Sequence, residues 1–127
     1  MTGTVARKVL LAEDEMIVAF DLSETVKEAG FEVDGPHTNV SSTMLAFQVE
    51  RPDLAILDIN LDDGNVFQLA EMLEAEHVPL IFHSGRYSKS DIEAKFPGAR
   101  VLIKPTPPTE ILQTMNDLLA EGAVANP

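Results

Sequence analysis

Leu54-Ala55-Ile56-Leu57-Asp58 is the stretch on which the fold turns. Four apolar residues in a row, with no polar alternation, suit a strand buried on both faces, and the run stops at an acid. The design recurs along the chain. Val9-Leu10-Leu11-Ala12 runs into Glu13-Asp14. Val78 to Phe82, with Pro79 near its start, runs into Ser84-Gly85. Val101-Leu102-Ile103 runs into Lys104-Pro105. Phe31-Glu32-Val33-Asp34 is shorter and alternates, which also reads as a strand.

Between these runs the period changes to that of a helix. Val18, Leu22, Val26 and Ala29 share one face of a helix over 15–29, and Gly30 stands where a left-handed cap is wanted. Val40, Met44 and Phe47 form the next stripe, and Pro52 stops it. Val66, Leu69, Ala70 and Leu73 make a third helix. Residues 88–96 read as a short polar one with Ile92 and Phe96 inward. Ile111, Met115 and Leu118 stripe the last, with Thr106 as its cap and Pro107 at its first position. Five strand–helix units imply an α/β fold with a parallel sheet covered on both faces. Residues 1–127 make one domain with a core of about 7–121, and 122–127 read as a tail.

In such sheets ligands bind at the carboxyl ends of the strands. Glu13, Asp14 and Asp58, the Ser84 hydroxyl and the Lys104 ammonium all fall there. Three neighbouring acids repel one another, and a divalent cation relieves that repulsion. All-oxygen ligands favour a hard cation, hence Mg2+, with Mn2+ able to substitute. A carboxylate can attack phosphorus to give an acyl phosphate. The cation and Lys104 would neutralise the phosphoryl oxygens, Ser84 would donate to another, and Gly85 would leave room beside them.

The chain has no cysteine, so disulfide and thiol chemistry are excluded. With 9 basic and 21 acidic residues the net charge is −12, which speaks against a nucleic-acid partner. There is no apolar run long enough to span a membrane and no signal-peptide core, so the expected location is the cytoplasm.

Taken together, Glu13-Asp14, Asp58, Ser84-Gly85 and Lys104-Pro105 resemble, in order and spacing, the receiver domains of two-component signalling. The resemblance covers about residues 7–121. It implies a flavodoxin-like (βα)5 fold with strand order 2-1-3-4-5. It makes Asp58 the phosphoacceptor, and Glu13 and Asp14 the acidic pair that holds Mg2+. Asn60 would supply a backbone carbonyl to the metal, Ser84 would be the switch hydroxyl that moves toward the phosphoryl group, and Lys104 would be the lysine that pairs with that group. The Lys104–Pro105 bond is expected to be cis. The partner implied is a sensor histidine kinase, with a histidine phosphotransferase or another target protein downstream. The protein would not be an enzyme beyond its own phosphorylation and slow autodephosphorylation. With no room for an output domain, it would act as a stand-alone regulator.

Pro79-Leu80-Ile81-Phe82-His83-Ser84-Gly85-Arg86-Tyr87 is similar to the Pro-Phe-x-Phe-Ala-Thr-Gly-x-Tyr pattern of FATGUY receivers, often paired with HWE histidine kinases. The departures are Leu80, His83 and Ser84. An aromatic residue usually stands three positions before the lysine in receivers, and here Val101 does. Tyr87 either replaces that aromatic in the switch or packs at the surface. Arg86 either redirects water or is a plain surface residue. His37, His77 and His83 read as ordinary loop or strand histidines. Two other functions are compatible with the pattern: a binding module on a receiver scaffold without phosphorylation, and an aspartyl phosphohydrolase, of which Asp58-x-Asn60 gives a faint likeness.

Overall fold

The computed structural model describes residues 7–85 and 89–125. Its elements are β1 (Lys8–Ala12), α1 (Met16–Glu28), β2 (Glu32–His37), α2 (Val40–Val49), β3 (Leu54–Leu57), β4 (Asn60–Leu61), β5 (Gly64–Asn65), α3 (Phe67–Ala75), β6 (Leu80–Ser84), α4 (Lys89–Lys95), β7 (Arg100–Ile103) and α5 (Pro108–Ala125). Five strands form one parallel sheet in the order β2-β1-β3-β6-β7. Counting only these, the order is the expected 2-1-3-4-5 of a flavodoxin-like fold.

The uninterrupted apolar strands are explained by what each face meets. Side chains alternate across a strand. Leu10, Ala12, Ala55, Leu57, Phe82 and Val101 pack with Leu69 and Leu73 of α3 and Ile92 of α4, and α2 adds Val40, Met44 and Phe47. Val9, Leu11, Leu54, Ile56, Ile81 and Leu102 face the other way, onto Leu22 and Val26 of α1 and Ile111, Met115 and Leu118 of α5. Every second residue serves one layer, so no position is left for a polar one. Each fully buried Leu or Ile contributes about 2 kcal/mol relative to exposure. Among the described residues no helix is long and apolar enough to cross a membrane.

Several boundaries differ from the sequence-based expectations. The hairpin β4–β5 was not foreseen: it pairs Asn60 with Asn65 and Leu61 with Gly64. β2 continues past Asp34 to His37 through a cis Gly35–Pro36 bond and a register irregularity opposite β1. Helix α5 starts at Pro108 rather than Pro107. Pro107 offers its carbonyl to the Glu110 and Ile111 amides, so it holds the capping position itself. The Thr106 hydroxyl turns back to donate to the Ile103 carbonyl at 2.7 Å. The expected tail from 122 is in part helix, since α5 runs to Ala125. Ala123 and Ala125 favour that continuation, and Gly122 does not break it.

Gly30 ends α1 with φ +98°, as expected of a left-handed cap. Gly35 is more constrained. Its φ is +125°, and a Cβ there would lie 2.5 Å from the Leu11 carbonyl oxygen and 2.8 Å from the His37 amide nitrogen. Both atoms are backbone, so neither can move aside cheaply. Gly35→Ala is expected to cost about 2–3 kcal/mol of stability, measured as a drop in the urea midpoint. An unchanged midpoint would show that β2 can shift to accommodate the methyl group.

Candidate functional site

The sheet register carries the chemistry to one edge. Ala12 pairs with Leu57, and Phe82 pairs with both Leu57 and Val101. Backbone bonding continues just past the strand ends. The Asp58 amide donates to the Ala12 carbonyl at 2.9 Å, the Glu13 amide to His37 at 2.8 Å, and the Lys104 amide to Ser84 at 3.0 Å. The side chains of these residues therefore leave from a rigid rim. Asp14, Asp58, Ser84 and Lys104 border a cleft of about 850 Å3 that also touches α1 at Asp21 and Leu22 and α5 at Ile111.

One carboxylate oxygen from each of Glu13, Asp14 and Asp58 lies within 4.8 Å of the others. Glu13 is only 1 % exposed and Asp58 is also buried. Lys104 stands over this group. Its ammonium donates to Asp58 Oδ2 at 3.1 Å, to Glu13 Oε2 at 3.1 Å and to Glu15 Oε1 at 3.1 Å. Glu13 Oε1 lies 2.9 Å from the ammonium but accepts no hydrogen bond among the described residues.

Electrostatics follow from this crowding. Burial, and then the charge of Asp58, push the Glu13 carboxyl up to about 7 against the opposing pull of Lys104. Burial and Asp58 also raise the Asp14 carboxyl. Burial works against the Lys104 charge, yet its bonds to Glu13, Glu15 and Asp58 hold the ammonium above its ordinary range. The charge arrangement thus has excess anion in a partly dry site, which is the condition under which a cation binds.

The sequence-derived residues are brought together as follows. Glu13, Asp14, Asp58 and Lys104 meet directly. Ser84 is buried at the end of β6, and Asn60 lines the same cleft from β4. Gly85 lines it too, but a Cβ there would sit 3.8 Å from Lys104 Cβ, an ordinary contact, so space alone does not demand glycine. Lys104–Pro105 is cis, as expected. Val101 is buried on β7. Arg86 and Tyr87 lie outside the described residues, so the Tyr87 switch reading has no structural counterpart here.

Two features escaped the sequence reading. Glu15 is the capping residue of α1, but its side chain makes no cap bond and reaches Lys104 instead. The run of three acids, Glu13-Asp14-Glu15, was the available signal. His83 is buried, with both ring nitrogens lacking a hydrogen-bond partner among the described residues and Nδ1 3.9 Å from Glu13 Oε1. Burial and the nearby Lys104 charge lower its pKa, which favours the neutral ring. His37, by contrast, is engaged by Asp34 at 3.0 Å and Ser42 at 3.2 Å.

Comparison with known proteins places this geometry. Residues 9–116 match the family model of the response regulator receiver domain. The transcriptional regulatory protein PdtaR of Mycobacterium tuberculosis is 28% identical over 106 residues, covering 81% of this chain and 52% of that protein. The phyllosphere-induced regulator PhyR of Methylorubrum extorquens is 28% identical over 123 residues, covering 94% of this chain and 46% of that one. The chain thus spans about half the length of these curated relatives. A CheY-like receiver domain protein from Methanospirillum hungatei superposes with a TM-score of 0.87 at 20% identity, covering 96% of this chain and 100% of that chain. An acidic cluster under a lysine, at the carboxyl edge of a 2-1-3-4-5 sheet, and the match over residues 9–116 lead to one conclusion: this chain belongs to the response regulator receiver domain family of two-component systems.

Proposed function

We propose that this receiver accepts a phosphoryl group from a sensor histidine kinase on Asp58, with Mg2+ bound beside it, and signals by protein contact or onward phosphotransfer. The observation that carries this reading is the convergence of Glu13, Asp14 and Asp58 within 4.8 Å under the Lys104 ammonium. The donor set fits the metal, being all oxygen and more anionic than one lysine can balance. Glu13, Asp14, Asp58 and the Asn60 backbone carbonyl would hold it. When bound, Mg2+ supplies positive charge to the phosphoryl oxygens; Mn2+ is expected to serve as well.

The chain's own residues do the rest. An Asp58 carboxylate oxygen attacks phosphorus, and the donor's leaving group departs as the new acyl phosphate bond forms. Lys104, already 3.1 Å from Asp58, pairs with the phosphoryl group, and the Ser84 hydroxyl moves to donate to it. Catalysis here is positioning and charge neutralisation. The protein turns over no substrate other than its own acyl phosphate, which it hydrolyses slowly. Ser84, Gly85, Tyr87, Lys104 and Pro105 form the proposed switch. The strand β6 pattern supports a FATGUY-type receiver and an HWE-type kinase as its donor.

The test is incubation of the full chain with acetyl phosphate and Mg2+. Intact mass is expected to show one added phosphoryl group, stable in acid and labile in base. Absence of such an adduct overturns the proposal. Asp14→Ala is expected to weaken Mg2+ binding roughly tenfold or more, read by calorimetric titration. Unchanged affinity would remove Asp14 from the site. Sustained turnover of a phosphomonoester would instead favour a phosphohydrolase.

A further inference from the structure

The hairpin that carries Asn60 is tied down at its base, where Leu61 is buried in the core and the Val66 amide donates to the Ile59 carbonyl at 3.0 Å, but its turn is exposed. β4 and β5 pair over only two residues each, and a short two-stranded hairpin is marginal by itself. The turn's anchor comes from elsewhere in the chain. Asp63, at the hairpin turn, accepts from the Val40 amide at 2.5 Å through Oδ1. Its Oδ2 accepts from the Ser41 amide at 3.1 Å and the Ser41 hydroxyl at 3.0 Å. Beside it, the Asp62 amide donates to the Thr38 carbonyl at 3.2 Å.

Val40 and Ser41 open α2, and their amides lack partners within that helix. The helix's own cap, Asn39, serves the next amide, accepting from Ser42 at 2.8 Å. Asp63 therefore supplies what Asn39 cannot, and the positive end of the helix dipole favours its charge. Its carboxyl is lowered, chiefly by the Val40 amide. The same segment also braces the acidic cluster, since the His37 carbonyl accepts from the Glu13 amide. One stretch, residues 37–41, thus ties down both halves of the site.

We propose that Asp63 is a positioning residue for the cation site: clamped to the start of α2, it fixes the hairpin and holds the Asn60 backbone against the Glu13–Asp14–Asp58 cluster. The inference rests on the reading of that cluster as a Mg2+ site. Asp63 itself touches neither metal nor phosphoryl group. Its carboxylate is exposed, so its removal opens no cavity and the fold is expected to persist.

The experiment is Mg2+ titration of the full chain, followed by NMR shifts of the Asn60 and Asp58 amides. Asp63→Ala is expected to weaken Mg2+ roughly tenfold, the scale seen when a ligand's support is removed. Asp63→Asn removes the charge but keeps a side-chain oxygen that can accept from the Val40 amide, and is expected to keep affinity within about twofold of wild type. Val40→Pro deletes the donor without altering charge. Proline is tolerated at the first helical position, and Asn39 already has the extended backbone that a following proline requires. It is expected to reproduce most of the Asp63→Ala loss, and the double variant to lose little more. A lower melting temperature alone would mark only a helix cap. Wild-type affinity in Asp63→Ala overturns the inference, as does an equal loss in Asp63→Asn, which would reduce the effect to charge. If one variant fails to fold, the other decides. If the wild type binds no Mg2+, the reading of the site falls, and this inference with it; if it binds and Asp63→Ala matches it, only the inference falls.

Discussion

Asp58→Asn is expected to reduce phosphoryl incorporation from acetyl phosphate to background while leaving the fold intact. The amide has nearly the same shape but is a far weaker nucleophile and cannot form a stable acyl phosphate. The structure indicates why the loss would not reflect unfolding. Asp58 raises the carboxyls of both Glu13 and Asp14 through like-charge repulsion. Neutralising it relieves that repulsion, and Lys104 keeps Glu13 and Glu15 as partners. The metal-free variant is therefore expected to melt at or above the wild-type temperature. Intact mass before and after mild base, beside a thermal melt, checks both halves. An adduct of undiminished yield on Asp58→Asn would move the acceptor elsewhere. An acid-labile one would point to a histidine.

The second large effect concerns Glu13 and pH in the absence of metal. Its carboxyl moves from 4.5 to about 7 in the folded chain, chiefly because it is buried. A raised acid binds more protons folded than unfolded, so its contribution to stability falls as pH rises from 4.5 through 7. The full penalty, above that window, is on the order of 3 kcal/mol. Asp14 acts in the same direction. His83 acts oppositely: its lowered pKa makes stability rise with pH through its ordinary range near 6.5. Comparison with Glu13→Gln separates these terms, because the glutamine cannot titrate. Urea midpoints in chelator are expected to show the variant gaining on wild type as pH rises, by a margin on the order of 3 kcal/mol near pH 8. A margin that stays flat would mean that Glu13 ionises without cost. The same protonation competes with a cation, so wild-type Mg2+ affinity is expected to weaken below about pH 7.

Most of the architecture was legible because it is written in local pattern. The apolar runs at Val9–Ala12, Leu54–Leu57 and Val101–Ile103 announce two-sided burial, and Asp14, Asp58 and Lys104, within two residues of their ends, line the cleft. The rest depends on partners distant in sequence. Glu15 reaches Lys104 across 89 positions, so its capping position hid a different bond. Asp63 reaches α2 across 22 and 23 positions. Its Asp62-Asp63-Gly64 run carried a turn signal, and Gly64 does take φ +139°. Nothing local, however, says which helix the turn will cap. The α5 start was off by one because Thr106-Pro107-Pro108 offers two prolines for one position, and Pro107 takes the capping one, its carbonyl accepting from the Glu110 and Ile111 amides. His83 looked out of place in its strand and proves to be a buried ring beside Glu13.

The border strand β2 has a consequence for how this acidic chain behaves in a crowded solution. An open sheet edge is a template on which another molecule's strand can add. Here that edge is spoiled from within. Pro36 offers no amide, Gly35 turns the backbone through a conformation that few residues adopt, and Glu32 and Asp34 bring charge to the same six residues. A strand from a second copy would find its ladder broken midway and its approach opposed by a net charge of −12 on each partner. Copies can therefore accumulate without stitching their sheets together along this border.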